Sequence, residues 1–234
     1  MGPFSTEYQK QDLIQKISKG TINQCLYKYR EDNDFSEKIL TDKTLWFSHP
    51  NEFNDPFDCW SNIQYLNKDE LYNLLVQSRV FDESIKSKLK QGCNKFDTNK
   101  IKQITDSIIN KIGVCCFSNT YTSILMWSHY ANNHKGFCIE FDILVDPDLF
   151  CLALPVNYVK TMPEFNPHTD LGEIIANTIQ PKYKDWEYEN EVRIIKPQSE
   201  TEKNGSQAFS FKTKSMKRII FGCKAHKETI EKYH

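Results

Sequence analysis

Two carboxylates and a guanidinium recur at every second position late in the chain. The acids are Glu189 and Glu191, and the guanidinium belongs to Arg193. Because side chains alternate along a strand, a strand over Tyr188–Ile195 would place all three on one face. In a cleft, one acid could stabilise developing positive charge and the other could orient or deprotonate an acceptor, while Arg193 keeps both ionised. On a solvated face the same pattern is an ordinary charged surface, and the sequence leaves both interpretations open.

A second candidate segment combines aromatic and polar side chains on one helix. Trp127 and Tyr130 are neighbours at helical spacing, and His129 lies between them. Core packing would explain Trp127, whereas the polar tips of His129 and Tyr130 require hydrogen-bond partners. Ser118 precedes this helix at the end of an apolar run, without the glycine-flanked turn that activates a serine nucleophile.

The third candidate segment is a loop between aromatic residues, Phe53-Asn54-Asp55-Pro56-Phe57. Asn54 and Asp55 either bond their own backbone in a tight turn or form one wall of a ligand site. The six histidines include no His-x-x-x-His pair, and no two cysteines have the Cys-x-x-Cys spacing. The spacing therefore predicts no metal site.

The composition narrows the class of protein. Lys and Arg total 30 against 31 Asp and Glu, a net charge of -1, which argues against bulk binding of nucleic acid or a membrane surface. The 8 glycines are too scattered for a phosphate-cradling loop. The 8 cysteines, several of them in apolar runs, indicate buried thiols in a reducing cytoplasm. Because Arg is scarce, Arg30 and Arg193 become candidates for a bidentate anion contact.

The predicted elements make one domain over 1–234, with a helical insertion at about 67–112 and no membrane span. Strands are not in regular alternation with helices, so we expect an α+β fold with a mainly antiparallel sheet. The expected helices cover Thr6–Lys19, Ser36–Leu40, Leu125–Tyr130 and Asp170–Ile179. The expected strands are Gln24–Arg30, Thr44–Ser48, Gly113–Ser118, Gly136–Asp142, Cys151–Val159, Tyr188–Ile195, Ala208–Phe211 and Arg218–Phe221.

Four motifs taken together resemble a bacterial family, number 2971 among the domains of unknown function, from Leu26 to Gly222. The motifs are Leu26-Tyr27-Lys28-Tyr29-Arg30, the Phe53–Phe57 loop, Trp127-Ser128-His129-Tyr130 with the trailing His134-Lys135-Gly136, and Trp186-x-Tyr188-Glu189-x-Glu191-x-Arg193. The layout of that family is similar to ADP-ribosyltransferases, especially the branch of DNA-modifying toxins. This second similarity implies a split core of two mainly antiparallel sheets, with NAD as the substrate.

The similarity to ADP-ribosyltransferases also implies roles for individual residues. Lys28 or Arg30 would stand at the first-strand position that holds NAD, Ser118 at the middle-strand position, and Glu191 at the catalytic position. Glu189 matches the Glu-x-Glu pattern of members that modify guanidinium groups. The remaining expected NAD contacts are stacking by aromatic rings and hydrogen bonds from the loop and the helix, made by Tyr29, Trp127, Tyr130, Asn54, Asp55 and His129.

The expected partners are NAD and an acceptor that is either protein or nucleic acid, in an enzyme of toxin or phage-defence type. Two other functions stay open. A metal-dependent nuclease would use Asp55, Glu189 and Glu191, although the cation that follows is Arg193 and not Lys. A non-catalytic module would dock a cognate antitoxin or another defence partner.

Overall fold

The computed structural model describes residues 6–55, 57–59, 112–163, 177–196 and 207–233. The chain forms two compact units. The first takes its described residues from Met1–Ser48, Ile112–Val156 and Asp185–His234, and the second takes its own from His49–Lys111 and Asn157–Lys184. The helical insertion expected at 67–112 lies outside the described residues, apart from Ile112.

The helices of the first unit are short, and side-chain caps fix where two of them begin. Asn33 Oδ1 accepts the Ser36 N–H at 2.8 Å, and Ser123 Oγ accepts the Met126 N–H at 3.4 Å. The helices are α1 Thr6–Ser18, α2 Asp34–Thr41, α3 Ile124–Tyr130, α4 Pro147–Phe150 and α5 Lys227–Tyr233, with 3-10 turns at Lys184–Glu189 and Thr213–Ser215.

The strands of the first unit form a six-stranded sheet and a two-stranded one. In the main sheet the order is β10-β4-β1-β3-β8-β5, and every neighbouring pair is antiparallel. The expected α+β fold with a mainly antiparallel sheet is therefore confirmed. The bounds are β1 Cys25–Arg30, β3 Gly113–Ser118, β4 Phe137–Asp142, β5 Ala153–Pro155, β8 Glu191–Lys196 and β10 Met216–Phe221, with β2 Thr44–Trp46 and β9 Ala208–Ser210 as the smaller pair.

The main sheet is interrupted at its centre, between β1 and β3. Strand β1 pairs with β4 at six positions, and β3 pairs with β8 at six positions. Between β1 and β3 the only registered pair is Tyr27 with Ser118. We call this pair the sheet junction. The sheet therefore consists of two three-stranded halves, β10-β4-β1 and β3-β8-β5, that meet at one point.

One face of the main sheet, the apolar face, holds the hydrophobic core. The ring of Phe141 packs edge-on against Phe117 at 5.6 Å and Phe211 at 5.1 Å between centroids, and against Phe150 at 6.1 Å. Each such fully buried side chain contributes about 1.5–3 kcal/mol. Alternation along the strands brings further buried residues to this face, among them Leu26, Cys115, Ile139, Val192 and Ile194.

The opposite face, the mixed face, carries both apolar and polar residues. Its apolar part is Tyr29 and Cys138, which pack under Met126 and Ala131 from α3 and the turn after it.

Phe137, on the apolar face, packs its ring against Tyr233 of α5 at 5.1 Å.

Within the second unit, β6 Asn157–Val159 and β7 Pro181–Tyr183 form a parallel pair. A 3-10 turn covers Pro50–Glu52, and Lys182 Nζ lies 3.5 Å from an oxygen of Asp58.

Several expected elements were wrong in extent. The strand expected over Tyr188–Ile195 begins only at Glu191, because the preceding residues form a 3-10 turn and Asn190 has φ 44°. The strand expected over Cys151–Val159 is broken into β5 and β6. The strand expected at Thr44–Ser48 ends at Trp46. Of the helix expected at 170–179, only 177–179 are described, and they are helical.

Candidate functional site

A row of polar side chains crosses five strands of the main sheet on the mixed face. Arg218 of β10 pairs with Glu140 of β4, Glu140 pairs with Tyr27 of β1, Tyr27 pairs with Ser118 of β3, and Ser118 pairs with Glu191 of β8. Directly paired residues of antiparallel strands point to the same face. We call these five residues the polar row; the sheet junction lies at its middle.

The Glu191 carboxylate at one end of the polar row is bound by Arg193 from the same strand. Arg193 Nε donates to Glu191 Oε1 at 2.9 Å, and its terminal amino group donates to Oε2 at 3.2 Å. Glu191 is 5% exposed and Arg193 is fully buried. This burial excludes the interpretation of the two residues as a solvated surface. Holding two charges inside a protein is costly unless they are paired in this bidentate way.

Glu189 is also buried, but it does not share the strand face of Glu191. It ends the 3-10 turn, and Asn190, in the left-handed region, separates it from β8. The expectation that alternation aligns both acids is therefore wrong. Glu189 is instead held from two sides: the Tyr130 hydroxyl donates to its Oε1 at 2.5 Å, and the Ser118 hydroxyl donates to its backbone carbonyl at 2.6 Å.

Lys28 and Arg30 leave β1 from the opposite side to Tyr27 and Tyr29, because alternate residues point to opposite faces. Lys28 Nζ donates to the Cys116 carbonyl at 2.6 Å and lies 5.2 Å from the centre of the Phe117 ring. Burial, and then the charge of Arg30, lower the pKa of Lys28. Burial also lowers the pKa of Arg30.

Within the described ranges, neither Lys28 nor Arg30 forms an ion pair with a carboxylate. The Lys28 ammonium nevertheless acts on the neighbourhood of Glu191. The pKa of Cys116, on the strand between them, is raised well above its ordinary value by burial and then by Glu191, while Arg193 and Lys28 oppose that shift. Lys28, from the opposite face, and the ion pair of β8 thus act together on Cys116 of β3.

The aromatic residues of the candidate helix are mostly engaged with their own surroundings. Tyr29 and Trp127 pack edge-on at 5.1 Å between ring centroids, and the Tyr29 hydroxyl donates to the Thr120 carbonyl at 3.0 Å. The Trp127 indole N–H donates to the Tyr121 carbonyl at 2.7 Å. His129 is exposed. Core packing therefore explains Trp127 and Tyr29, whereas the His129 ring lies 5.9 Å from that of Tyr188.

The His134-Lys135-Gly136 motif is explained by tight packing. Residues 132, 133 and 134 all have φ between 47° and 70°. A Cβ on Gly136 would overlap the Arg30 carbonyl oxygen, and one on Gly222 would overlap the His134 carbonyl oxygen. His134 Nε2 lies 3.1 Å from Ser128 Oγ, which helps to hold this turn. Both glycines allow backbones to approach where no side chain fits.

Asn54 and Asp55 belong to the second unit. Asp55 is buried, and its Oδ1 accepts the Phe57 N–H at 2.9 Å, the bond expected of the tight-turn interpretation. Asn54 is exposed.

Residues 126–194 match the model of a family described as "Protein of unknown function (DUF2971)". The DUF2971 match covers this segment, less than half of the chain. The matched DUF2971 segment contains Tyr130, Glu140, Glu189, Glu191 and Arg193, whereas the motifs at Leu26–Arg30 and Phe53–Phe57 lie before it. No curated protein and no solved structure matches the chain.

The sequence alone did not identify three residues of the polar row. Glu140 lies inside the DUF2971 segment, Tyr27 lies before it and Arg218 lies after it. Arg218 Nε donates to Glu140 Oε2. Burial and the adjacent Glu140 raise the pKa of the Cys25 thiol to about 11. The sequence signal for Tyr27, Glu140 and Arg218 was alternation within each strand. The register between strands, which brings the three together, cannot be predicted from one strand.

Among the described residues, no group of three or more His, Cys, Asp or Glu side chains could hold a metal ion. The helices that the structure describes also lack the length and apolar character required to cross a bilayer.

Proposed function

We propose that the chain cleaves the nicotinamide–ribose bond of NAD, with the chemistry of ADP-ribosyltransferases. The observation that carries this proposal is the sheet junction. There β1, β3 and β8 bring Tyr27, Ser118 and a buried Glu191 side by side on one face. The resemblance described above expects a first, a middle and a late strand to supply the NAD site, and these three strands are neighbours here.

The interrupted ladder between β1 and β3 gives this proposal its second support. The proposed entry point for a ligand is between the two halves, where β1 and β3 are registered only at Tyr27 and Ser118. Glu189, the last residue of the 3-10 turn, lies two residues before Glu191, as in the Glu-x-Glu pattern. A core split into two mainly antiparallel sheets, as in ADP-ribosyltransferases, is also part of the proposal.

The proposed reaction breaks the bond between ribose C1′ and the nicotinamide nitrogen. The bonding electrons leave with nicotinamide, and C1′ gains oxocarbenium character that the Glu191 carboxylate stabilises in a site shielded from water. Water or a nucleophilic group of the acceptor then bonds to C1′, and its proton passes to Glu189. Arg193 acts as a positioning residue, since its two bonds fix the plane of the Glu191 carboxylate.

Lys28 and Arg30 are the proposed contacts of the NAD phosphates. Within the described ranges neither side chain has an ion pair with a carboxylate, so a pyrophosphate would supply a counter-charge; because both leave β1 on the face opposite the polar row, this contact stays a prediction from the resemblance. His129, which is exposed, is a proposed contact of a ribose hydroxyl. Asn54 and Asp55 stay predictions from the resemblance.

The acceptor, whether protein, nucleic acid or water, and a role in toxicity or phage defence are also proposals. The nuclease and the docking module remain alternative predictions. Chelator-sensitive cleavage of nucleic acid would select the nuclease.

The test is nicotinamide release from NAD, measured by chromatography. We expect release by the wild type and a loss of about 100-fold or more in Glu191→Gln. The matched control is Glu187→Gln, which makes the same chemical change at an exposed position of the adjacent turn and should keep the wild-type rate. Circular dichroism verifies that each variant is folded. Equal rates in Glu191→Gln and the wild type would remove Glu191 from the reaction.

A further inference from the structure

The turn before β8 is held by a set of hydrogen bonds from β3 and α3. The Ser118 hydroxyl donates to the Glu189 carbonyl at 2.6 Å, and the Ser123 hydroxyl donates to the Tyr188 carbonyl at 3.1 Å. The Asn119 N–H donates to the Asn190 carbonyl at 2.8 Å. Three consecutive carbonyl groups, at 188, 189 and 190, are thereby fixed by neighbouring elements.

Two further bonds in this region reach side chains, and the Asn119 amide donates one of them to Asn190 Oδ1 at 3.2 Å. The Tyr130 hydroxyl, at the end of α3, donates to Glu189 Oε1 at 2.5 Å. The next residue, Asn190, has φ 44°, a conformation that costs a residue with a side chain about 1 kcal/mol or more. A backbone in this region persists only where its surroundings fix it, so the bonds around it determine where Glu189 and Glu191 lie.

We infer that Tyr130 is a positioning residue of the candidate site, and that its hydroxyl, not its ring, serves the reaction by orienting the Glu189 carboxylate. This inference rests on the proposed function. It replaces the expectation that the Tyr130 ring stacks on the substrate. A hydroxyl bound to a buried carboxylate fixes the direction of that group, and small misplacements of a reacting group reduce rates severely.

Phenylalanine at position 130 separates the two roles, because it keeps the ring and removes only the hydroxyl. If the hydroxyl orients Glu189, Tyr130→Phe lowers kcat for nicotinamide release by at least about tenfold and leaves KM for NAD unchanged. If the ring binds substrate, Tyr130→Phe keeps both constants, and Tyr130→Leu raises KM.

The matched control is Tyr233→Phe. The Tyr233 hydroxyl also donates to a carboxylate, Asp32 Oδ1 at 2.7 Å, but on α5 and away from the turn. Both variants lose the same kind of bond, so we expect Tyr233→Phe to keep the wild-type kcat and KM. Hydrogen exchange gives a readout independent of activity: the amides of 188–191 should exchange about tenfold faster or more in Tyr130→Phe, and at the wild-type rate in Tyr233→Phe.

The outcomes distinguish this inference from the proposed function. If the wild type releases nicotinamide and Tyr130→Phe has the kcat of Tyr233→Phe, the inference is overturned while the proposed function stands. If kcat falls in Tyr130→Phe but the exchange of 188–191 does not change, the positioning role is overturned. If the wild type releases no nicotinamide, the proposed function fails, and the catalytic role of Tyr130 fails with it.

Discussion

The two faces of the main sheet are covered by different kinds of side chain. The apolar face packs Phe117, Phe141 and Phe150 together, and it also buries the cations Lys28 and Lys196. The mixed face has an apolar patch under α3, and the polar row beside it. Burying charged groups gains little or no stability, even when they are paired.

This difference indicates that the two faces have different roles, one in stability and one in a functional site. Phenylalanines on the apolar face account for stability, since burial of hydrophobic surface is the main favourable term in folding. Apolar side chains of the same volume would replace the groups of the polar row and Arg193 without loss of stability. Buried ionisable groups kept in this way are characteristic of functional sites.

Removal of a ring from the apolar face should have the largest effect on stability. Phe141→Ala deletes a fully buried side chain in contact with three other rings, so we expect a loss of about 4 kcal/mol in the free energy of unfolding. Urea denaturation measures this. Phe35→Ala, at a side chain that is 81% exposed, is the control and should change stability by less than about 0.5 kcal/mol. Similar losses in both would contradict the assignment of the core.

Breaking the ion pair of the mixed face from one side should come next. Arg193→Met leaves the Glu191 charge buried without its bidentate partner, and we expect a loss of about 3 kcal/mol by urea denaturation. The double variant Glu191→Leu/Arg193→Met removes both charges and should regain most of this stability while releasing no nicotinamide. A double variant as unstable as Arg193→Met would mean that the pair itself stabilises the fold.

The apolar face and the mixed face differ in how much of each could be predicted from the sequence. Strand β3, with its continuous apolar run, was correctly predicted as Gly113–Ser118. Glu189 was misplaced because the alternation of Trp186–Arg193 imitates a strand, while the left-handed Asn190 that interrupts it is only one residue. Lys28 was expected to share a site with Glu191, but it leaves β1 on the opposite face, because alternation along one strand does not say which side faces which neighbour.

The pH dependence of stability tests Lys28, a buried cation on the apolar face. Burial lowers its pKa from the ordinary 10.5, so between the folded value and 10.5 the unfolded chain binds more protons and stability rises with pH. Relative to Lys28→Met, the wild type should therefore gain up to about 1.4 kcal/mol for each pH unit across that window. Urea denaturation of both proteins at about pH 7 and about pH 9.5 measures the difference. A constant difference would contradict the buried position of the ammonium.

The smallest effect is expected at the exposed end of the polar row. The Arg218 side chain is 54% exposed where it pairs with Glu140, and solvent weakens such pairs. Arg218→Met should change the free energy of unfolding by about 0.5 kcal/mol, measured by thermal or urea denaturation. A loss as large as that of Arg193→Met would show that both ends of the row stabilise the sheet equally.

Nicotinamide release by Glu191→Asp separates a catalytic from a structural role of Glu191. This change preserves the charge for Arg193 and withdraws the carboxylate by one methylene. We expect stability within about 1 kcal/mol of the wild type and nicotinamide release reduced by about 100-fold or more. Wild-type release from a variant that has lost several kcal/mol of stability would contradict the account, because Glu191 would then be structural.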